Sequence, residues 1–267
     1  MTHNRRRFLI TGCAGLAGMA LGTTSAPAGQ AAAWETVING SFASYATLES
    51  VWNYLYPWGS DHNGTARMYA SASDHNHVYL ESQGVLAIKA SRIDWDEGAS
   101  SAEPYLPIRY HSGAIHAKQH VVVNDQFPDW EVKGEFQAPS ARGTWPAFWL
   151  TGADSWPPES DILEFKGDNR NWFNSYDGLW QSTIVEVAEP GAWHRYRAWI
   201  TKVSDTDVDI HYYLDEKWVG RHRAPNFVNR PMWIILNLQM EGSSGEPGPS
   251  VDTYYRARDI YVGRTRV

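Results

Sequence analysis

Apolar and polar residues alternate with a period of two along much of the chain, which indicates β-strands. Between residues 130 and 137, apolar and small residues hold the even positions and charged or polar residues hold the odd ones. The same parity holds from residue 208 to residue 214. Because successive side chains of a strand point to opposite faces, these segments are expected to place one face on a core and the other in solvent.

Further segments have the composition of strands, and clusters of turn-forming residues separate them. They are residues 78–81, 85–91, 114–123, 145–151, 193–202, 232–241 and 254–264. Few other stretches show a clear pattern, and none of ten or more residues has the apolar spacing of a helix. No repeat or linker divides the chain after residue 33. The pattern predicts one all-β domain, a two-sheet antiparallel sandwich or jelly roll.

Composition supports a packed core and excludes several function classes. Of the 267 residues, 43% are hydrophobic and 20% are charged, which is far from the composition of disordered chains. The net charge is −7, and the basic residues are scattered. A nucleic-acid partner is therefore not expected. The only cysteine, Cys13, lies near the N-terminus, so the rest of the chain can form no disulfide.

The N-terminal segment has the features of an export signal. Arg5, Arg6 and Arg7 precede Phe8 and Leu9, which resembles a twin-arginine signal, and a weakly apolar run with small residues follows. Roughly 14 apolar residues are too few to span about 30 Å of hydrocarbon, so stable membrane insertion is not expected. We therefore predict a signal peptide at residues 1–33, a catalytic domain at residues 34–267, and a secreted or periplasmic protein.

Three carboxylates within six residues form the strongest chemical signal in the sequence: Glu159, Asp161 and Glu164. Their apolar neighbours at positions 162, 163 and 165 favour a strand within the sheet over a solvated acidic loop. On a regular strand Glu159 and Asp161 share a face, whereas Glu164 would point into the core. A β-bulge at Ile162 and Leu163 would return Glu164 to the face of the other two, and such bulges are common beside active sites.

A bulged strand of this kind suits the hydrolysis of glycosidic bonds. The two glutamate backbones would lie about 13 Å apart, and side chains leaning together would leave about 5 Å, as in retaining glycosidases. The wider inverting arrangement remains open. Since like charges raise the pKa of at least one acid, we expect Glu164 to protonate the departing oxygen and then deprotonate water. Glu159 would remain ionised and attack the anomeric carbon, and Asp161 would hydrogen-bond the Glu159 carboxylate.

The same residues carry a resemblance to a known family. The sequence Trp-Pro-Ala-Phe-Trp-Leu at residues 145–150, followed by Glu-x-Asp-x-x-Glu at residues 159–164, resembles glycoside hydrolase family 16. Segments at residues 110–115, 193–196, 231–238 and 254–261 are similar to other strands of that family. The resemblance implies a concanavalin A-like jelly-roll sandwich with a concave substrate cleft, and retention of the anomeric configuration. It also implies a nucleophile at Glu159, an assisting aspartate at Asp161 and an acid/base at Glu164.

Two departures from the family pattern bear on substrate preference. The family commonly has Gly-Glu-Ile-Asp at the motif, whereas this chain has Pro-Glu-Ser-Asp at residues 158–161. Many members have a histidine on the following strand, where this chain has Asn-Ser-Tyr-Asp at residues 174–177. The carboxylates are intact, but that strand contacts the sugar beside the scissile bond.

Four tryptophans are candidates for stacking on sugar rings. Trp145 and Trp149 have the same parity, so both face either the cleft or the core, and the resemblance favours the cleft. Trp172 and Trp180 lie in a segment rich in Gly and Asn. That segment is interpreted as a loop, where burial explains a tryptophan less well.

Polar candidates are fewer. Asn237 and Gln239 alternate with apolar residues on a late strand and are candidates for bonds to sugar hydroxyls, a plain solvated face being the alternative. His194 is interpreted as structural. Arg109 and Arg170 are interpreted as surface arginines, although bidentate recognition of a sulfate or carboxylate is the competing hypothesis.

Two functions fit these features. The first is an exported retaining β-glycanase that cleaves within a β-glucan or β-galactan chain. The second is a non-catalytic carbohydrate-binding domain in which the three acids ligate calcium, although such a module needs no bulge. The sequence does not distinguish β-1,3-glucan, mixed-linkage glucan, agarose, carrageenan and galactan. We expect a monomer that requires no cofactor, and the presence of a structural calcium ion stays an open alternative.

Overall fold

The computed structural model describes residues 33–81 and 84–267. Within these ranges the chain forms seventeen β-strands, one α-helix and one 3₁₀ turn, which is Gly242–Ser244. In chain order the remaining elements are Ala33–Asn39 (β1), Tyr45–Val51 (α1), Trp52–Tyr54 (β2), Ala66–Met68 (β3), Val78–Glu81 (β4), Val85–Arg92 (β5), Tyr110–Ser112 (β6), Ala114–Ala117 (β7), Asp129–Gln137 (β8), Thr144–Gly152 (β9), Glu159–Glu164 (β10), Arg170–Tyr176 (β11), Trp180–Glu186 (β12), His194–Lys202 (β13), Val208–Leu214 (β14), Lys217–Ala224 (β15), Met232–Met240 (β16) and Thr253–Arg266 (β17).

The strands form two sheets. The larger sheet has the order β15-β14-β13-β8-β17-β5-β6-β3, with β1 paired to β17 and β4 to β5. The smaller sheet has the order β12-β11-β10-β9-β16-β7-β2. Apart from the parallel pair of β3 and β6, the described strand pairs are antiparallel. The all-β jelly-roll sandwich that the sequence predicts is confirmed.

Side chains from the facing surfaces of the two sheets form the core. Val132 of β8 and Ile210 of β14 are fully buried, as the alternation predicts. Phe136 of β8 and Phe148 of β9 meet across the sandwich, with ring centroids 5.0 Å apart. Because Phe148 faces this core, Trp149 beside it faces the opposite surface of the smaller sheet. That surface carries the candidate site.

Most predicted strands are present, with small changes at their ends. The strands at residues 78–81 and 208–214 have the predicted bounds. The prediction for residues 114–123 is wrong beyond residue 117, where β7 ends. Seven of the described strands were not predicted. Strands β2, β3 and β6 have three residues each, too few to show an alternation. Strands β1, β11, β12 and β15 are longer and also lie outside the predicted segments.

The predicted signal peptide lies outside the described residues, except for Ala33 at the start of β1. Within the part of the chain that the structure describes, no helix is both long and apolar enough to cross a bilayer.

Candidate active site

The three acids lie on β10, which contains the predicted bulge. Against β9, Glu159 is opposite Thr151, and Asp161 is opposite Trp149. The register then shifts, so that Glu164 is opposite Ala147. The extra residue turns Glu164 onto the face of the other two acids, as the odd spacing predicts.

A buried asparagine on β11 stabilises the bulge. Regular pairing between β10 and β11 covers only residues 159–161 of β10. Beyond that point Asn171 Oδ1 accepts the backbone N–H of Glu164 at 2.9 Å. Its Nδ2 lies 3.4 Å from the carbonyl oxygen of Ile162. The side chain thus replaces ladder hydrogen bonds that the bulge removes, because buried backbone groups need partners.

All three acids line one cavity of about 580 Å³ on the outer surface of the smaller sheet. Asp161 and Glu164 are 5% and 7% exposed, and Glu159 is partly buried. The cavity is also lined by Trp58, His62, Asn63, Trp145, Ala147, Trp149, Thr151, Gly152, Ala153, Asp154, Ser155, Trp156, Lys166, Trp180, Asn237, Gln239 and Ser243.

The loop between β9 and β10 places an indole beside Glu159. Trp156 Nε1 donates to Glu159 Oε2 at 2.8 Å. The loop folds back closely on Gly152, where an added Cβ would lie 2.1 Å from the carbonyl oxygen of Ser155. A glycine is therefore needed where the loop leaves β9. The close turn holds Trp156 over the first acid of the motif.

The other two acids share a donor from the neighbouring strand. Asn174, directly opposite Asp161 on β11, donates from Nδ2 to Asp161 Oδ2 at 2.9 Å and to Glu164 Oε2 at 2.8 Å. Trp145 Nε1 donates to Glu164 Oε1 at 2.7 Å. Lys166 Nζ lies 3.0 Å from Glu164 Oε2. The described protein contacts of Glu164 are thus all donors.

Burial and mutual repulsion raise the pKa of two of the acids. Burial raises the pKa of Glu159 to about 7, with a further contribution from the charge of Glu164, while the Trp156 hydrogen bond and Lys166 oppose the rise. Burial also raises the pKa of Asp161 well above its usual range, and the charges of Glu164 and Glu159 add to this. The site therefore holds protons near neutral pH. Glu159, which is expected from the sequence to remain ionised, thus has a pKa close to neutral. The role of Glu164 as the acid/base stays a prediction.

Aromatic side chains lie at both ends of the cavity. At one end, Trp149 stacks on His62 with ring centroids 5.8 Å apart and meets Trp58 edge-on at 6.1 Å. At the other end, Tyr176 lies 4.6 Å from both Trp156 and Trp180. Flat apolar rings at both ends suit the faces of sugar rings.

The predicted binding residues have different positions. Trp145, Trp149, Asn237 and Gln239 all line the cavity. Asn237 accepts from Trp149 Nε1 at 2.8 Å. Gln239 bonds the backbone of Ala66 through both ends of its amide. Both amides are at least 97% buried, so the interpretation as a plain solvated face is wrong.

Two tryptophans predicted to lie in a loop are on strands. Trp172 is on β11, and Trp180 begins β12. Trp180 lines the cavity and is 54% exposed. Trp172 is not among the lining residues, and the cations of Lys166 and Arg170 lie over its ring. The loop interpretation is wrong because two of the asparagines that suggested it, Asn171 and Asn174, are hydrogen-bonded inside the sheet.

The histidine interpreted as structural and the two arginines interpreted as surface residues are all paired within the protein. His194 Nδ1 lies 2.8 Å from Asp215 Oδ2, and its Nε2 lies 3.0 Å from a backbone carbonyl oxygen. Arg109 forms ion pairs with Glu241 and Glu246. Arg170 bonds Asp168 through Nε and Nη2.

Five cavity-facing or acid-bonding residues were not predicted to take part in the site. Trp58 and His62 follow the edge strand β2, and only the strand order brings them to the cleft. Burial lowers the pKa of His62 to about 4, so its ring is neutral over most of the pH range. Trp156 and Asn174 donate hydrogen bonds to the acids, and Lys166 forms an ion pair with Glu164. Among residues 33–81 and 84–267, no three His, Cys, Asp or Glu side chains are arranged to hold a metal ion.

Comparisons with known proteins agree with this geometry. A galactan endo-β-1,3-galactanase from Flammulina velutipes is 44% identical over 228 residues, which is 84% of this chain and 88% of that protein. No protein-family model matches the chain.

Solved structures show the same fold. An endo-1,3-β-glucanase from Streptomyces sioyaensis superposes with a TM-score of 0.66 at 21% identity, covering 90% of this chain and 99% of its own. SCLam, a non-specific endo-β-1,3(4)-glucanase of family GH16, superposes with a TM-score of 0.65 at 18% identity, covering 87% and 92%.

Proposed function

Because the chain belongs to glycoside hydrolase family 16 and is a β-glycanase that hydrolyses O-glycosyl bonds, we propose that it is an exported, retaining endo-β-1,3-galactanase. The observation that carries the proposal is the bulge in β10, which turns Glu159, Asp161 and Glu164 into one cavity. Double displacement requires two carboxyl groups that flank the same glycosidic bond, and this arrangement supplies them.

Retention is supported by the closeness of the acids. The negative charge of Glu164 contributes to the raised pKa of Glu159, so the two carboxylates interact electrostatically. One nitrogen of Asn174 bonds both Asp161 and Glu164. Retaining enzymes need their two carboxyl groups about 5–5.5 Å apart, whereas inverting enzymes leave room for a water between them.

In the proposed mechanism Glu159 attacks the anomeric carbon and forms a glycosyl ester. The bond to the leaving oxygen breaks as Glu164 donates its proton to that oxygen. Water then gives a proton back to Glu164 and displaces Glu159, which restores both groups. Asp161 lies on β10 between Glu159 and Glu164, and from this position it assists Glu159.

Two features support galactan and internal cleavage. The Flammulina velutipes protein, a galactan endo-β-1,3-galactanase, is similar over 84% of this chain. Aromatic rings at both ends of the cavity would stack on sugars on either side of the acids. A polysaccharide whose sugars are bound on both sides of the acids is cleaved at an internal bond.

The test is hydrolysis of a panel of polysaccharides. Laminarin, lichenan, agarose, carrageenan and β-1,3-galactan are incubated with the wild type and with the Glu159→Ala variant, with and without a chelator. We expect a series of oligosaccharides from β-1,3-galactan, insensitive to the chelator and absent with the variant. Proton NMR of the first product should show the β-anomer before mutarotation. A first-formed α-anomer would contradict retention, and release of monosaccharide alone would contradict endo action.

Export is supported by the N-terminal sequence. The paired arginines before an apolar run support export through a twin-arginine route. We expect that Arg5→Lys together with Arg6→Lys keeps the protein in the producing cell.

We also propose that the protein is a monomer in solution. Light scattering should give a mass close to that of one chain.

A further inference from the structure

We propose that Asn174 is a positioning residue that holds Glu164 in the orientation needed to protonate the leaving group. The inference rests on the proposed function, in which Glu164 is the acid/base. It assigns a role in that step to an uncharged side chain on the strand beside β10.

The first support is the geometry of one amide group. Asn174 Nδ2 carries two hydrogens, one directed to Asp161 Oδ2 at 2.9 Å and the other to Glu164 Oε2 at 2.8 Å. The amide group therefore ties together two carboxylates that would otherwise repel each other. Asn174 is 2% exposed, so these bonds are made in a region of low dielectric, where they are strong.

The second support is that the orientation of the amide is fixed. Ser182 Oγ of β12 donates to Asn174 Oδ1 at 2.7 Å, so the oxygen faces Ser182 and the nitrogen faces the acids. The backbone is also held, because Tyr212 OH donates to the Asn174 carbonyl oxygen at 2.7 Å. A flipped amide would present its oxygen to two carboxylates and lose three hydrogen bonds.

The third support is the chemistry of the groups that face Glu164. Trp145 from β9 and Asn174 from β11 are neutral donors, and Lys166 is a cationic one. Asp161 and Glu159 are the acids of the same strand that share the cavity with Glu164. A neutral amide donates at every pH and adds no charge to this crowded group. An aspartate in its place would add a fourth acid and remove both donors.

The role predicts a dependence on the leaving group. Protonation by Glu164 matters for a sugar alkoxide, which is a poor leaving group, and hardly matters for 2,4-dinitrophenolate. Removing Asn174 should therefore lower kcat/KM for β-1,3-galactan by roughly 10²-fold. For a 2,4-dinitrophenyl β-galactoside or galactobioside, the decrease should be less than about fivefold, within the range of general positioning effects.

The experiment compares Asn174→Ala, the isosteric Asn174→Asp and Ser182→Ala on both substrates. We expect both Asn174 variants to lose more kcat/KM on β-1,3-galactan than on the 2,4-dinitrophenyl glycoside. Ser182→Ala should show the same preference to a smaller degree. Circular dichroism and thermal unfolding identify a variant that does not fold. Asn226→Ala is the matched control, because Asn226 bonds the carboxylate of Asp177 in an exposed loop and should not alter either rate.

The results separate this inference from the proposed function. The Glu164→Ala variant should show the same difference between substrates with a larger amplitude. If Glu164→Ala shows it and folded Asn174 variants lose equal activity on both substrates, the positioning role is wrong while the function stands. Unchanged activity in both Asn174 variants also overturns the inference. If Glu164→Ala shows no dependence on the leaving group, the assignment of the acid/base itself fails.

Discussion

Strands β8 and β10 both carry closely spaced acids, and the protein surrounds these acids with different partners. On β8, Glu135 is bonded by Arg195 and by Arg258, whose Nε lies 2.8 Å from Glu135 Oε2. Glu131 on the same strand accepts from Arg197 Nη1 at 3.0 Å. Although partial burial alone would raise the pKa of Glu135, the hydrogen bonds from the two arginines lower it.

The acids of β10 have far less cationic compensation. Within the described residues, Lys166 is the one cation at ion-pair distance from Glu159, Asp161 or Glu164. The pKa values of Glu159 and Asp161 are raised accordingly. The β8 acids are arranged for stability. Those of β10 are arranged for a chemistry that needs protons near neutral pH, at a cost in stability.

The largest expected difference between the two strands is in how much the loss of an acid lowers the rate of hydrolysis. Glu159→Ala and Glu164→Ala should each lower hydrolysis of β-1,3-galactan by about 10⁴-fold or more, because each removes a reacting group. Glu135→Ala should leave the rate within about twofold, because Glu135 lies on the other sheet. Initial rates of reducing-end release measure all three. Near-normal hydrolysis by either β10 variant contradicts the roles proposed for these glutamates.

The second difference is in stability. A buried acid whose folded pKa is raised to about 7 destabilises the protein as pH rises from 4.5 to above 7. Glu159→Gln should therefore raise the free energy of unfolding at pH 8 by about 1–3 kcal/mol and change it little at pH 4.5. Urea unfolding at both pH values measures this.

The corresponding change on β8 should have the opposite sign. The lowered pKa of Glu135 means that its contribution is present above the unfolded pKa and lost as pH falls. Glu135→Gln should lower the free energy of unfolding at pH 8 by about 1 kcal/mol, because the ion pairs are partly exposed. A loss of stability in Glu159→Gln at pH 8 would contradict the difference between the strands.

The third difference is in the pH dependence of catalysis. Since Glu159 must be ionised to attack, kcat/KM should fall as pH drops below about 7 rather than near 4. Trp156→Phe removes the hydrogen bond that lowers the pKa of Glu159, so the acidic limb should move up by about half to one pH unit. Trp180→Phe keeps a stacked ring and touches no acid, so it is the control. If the acidic limb of the pH profile does not move in Trp156→Phe, the indole does not lower the pKa of Glu159.

The smallest expected effect comes from the cation beside the acids. Lys166 lowers the pKa of both Glu159 and Asp161. Lys166→Met should move the acidic limb upward by about a few tenths of a pH unit, with a smaller difference in 0.5 M salt because salt screens the partly exposed amine. Arg195→Met, which removes a cation from β8, should leave the profile unchanged. A downward shift in Lys166→Met would contradict this role.

The bulge could be predicted because the conflict that requires it is local. Glu159, Asp161 and Glu164 have mismatched parity, and Ile162 and Leu163 between them are apolar, so one extra residue is the simplest solution. Both apolar residues are fully buried.

The partners of the acids could not be predicted with the same rule. Asn174 is opposite Asp161 only because of the register of β10 on β11, and the Gly/Asn-rich turn between these strands was interpreted as part of a longer loop. His62 and Trp58 reach the cleft from the far edge of the sheet, beyond β16 and β7. Their sequence separation from the acids carries no periodic signal, and their contacts depend on the strand order.

The central claim is that Glu159 and Glu164 act on opposite sides of the same glycosidic bond. Azide rescue with an activated β-galactoside tests it most directly, because azide enters from the side that the missing carboxylate leaves open. Glu159→Ala should regain activity and yield the α-galactosyl azide, whereas Glu164→Ala should yield the β-galactosyl azide. The same azide configuration from both variants, or no rescue of either folded protein, would contradict the account.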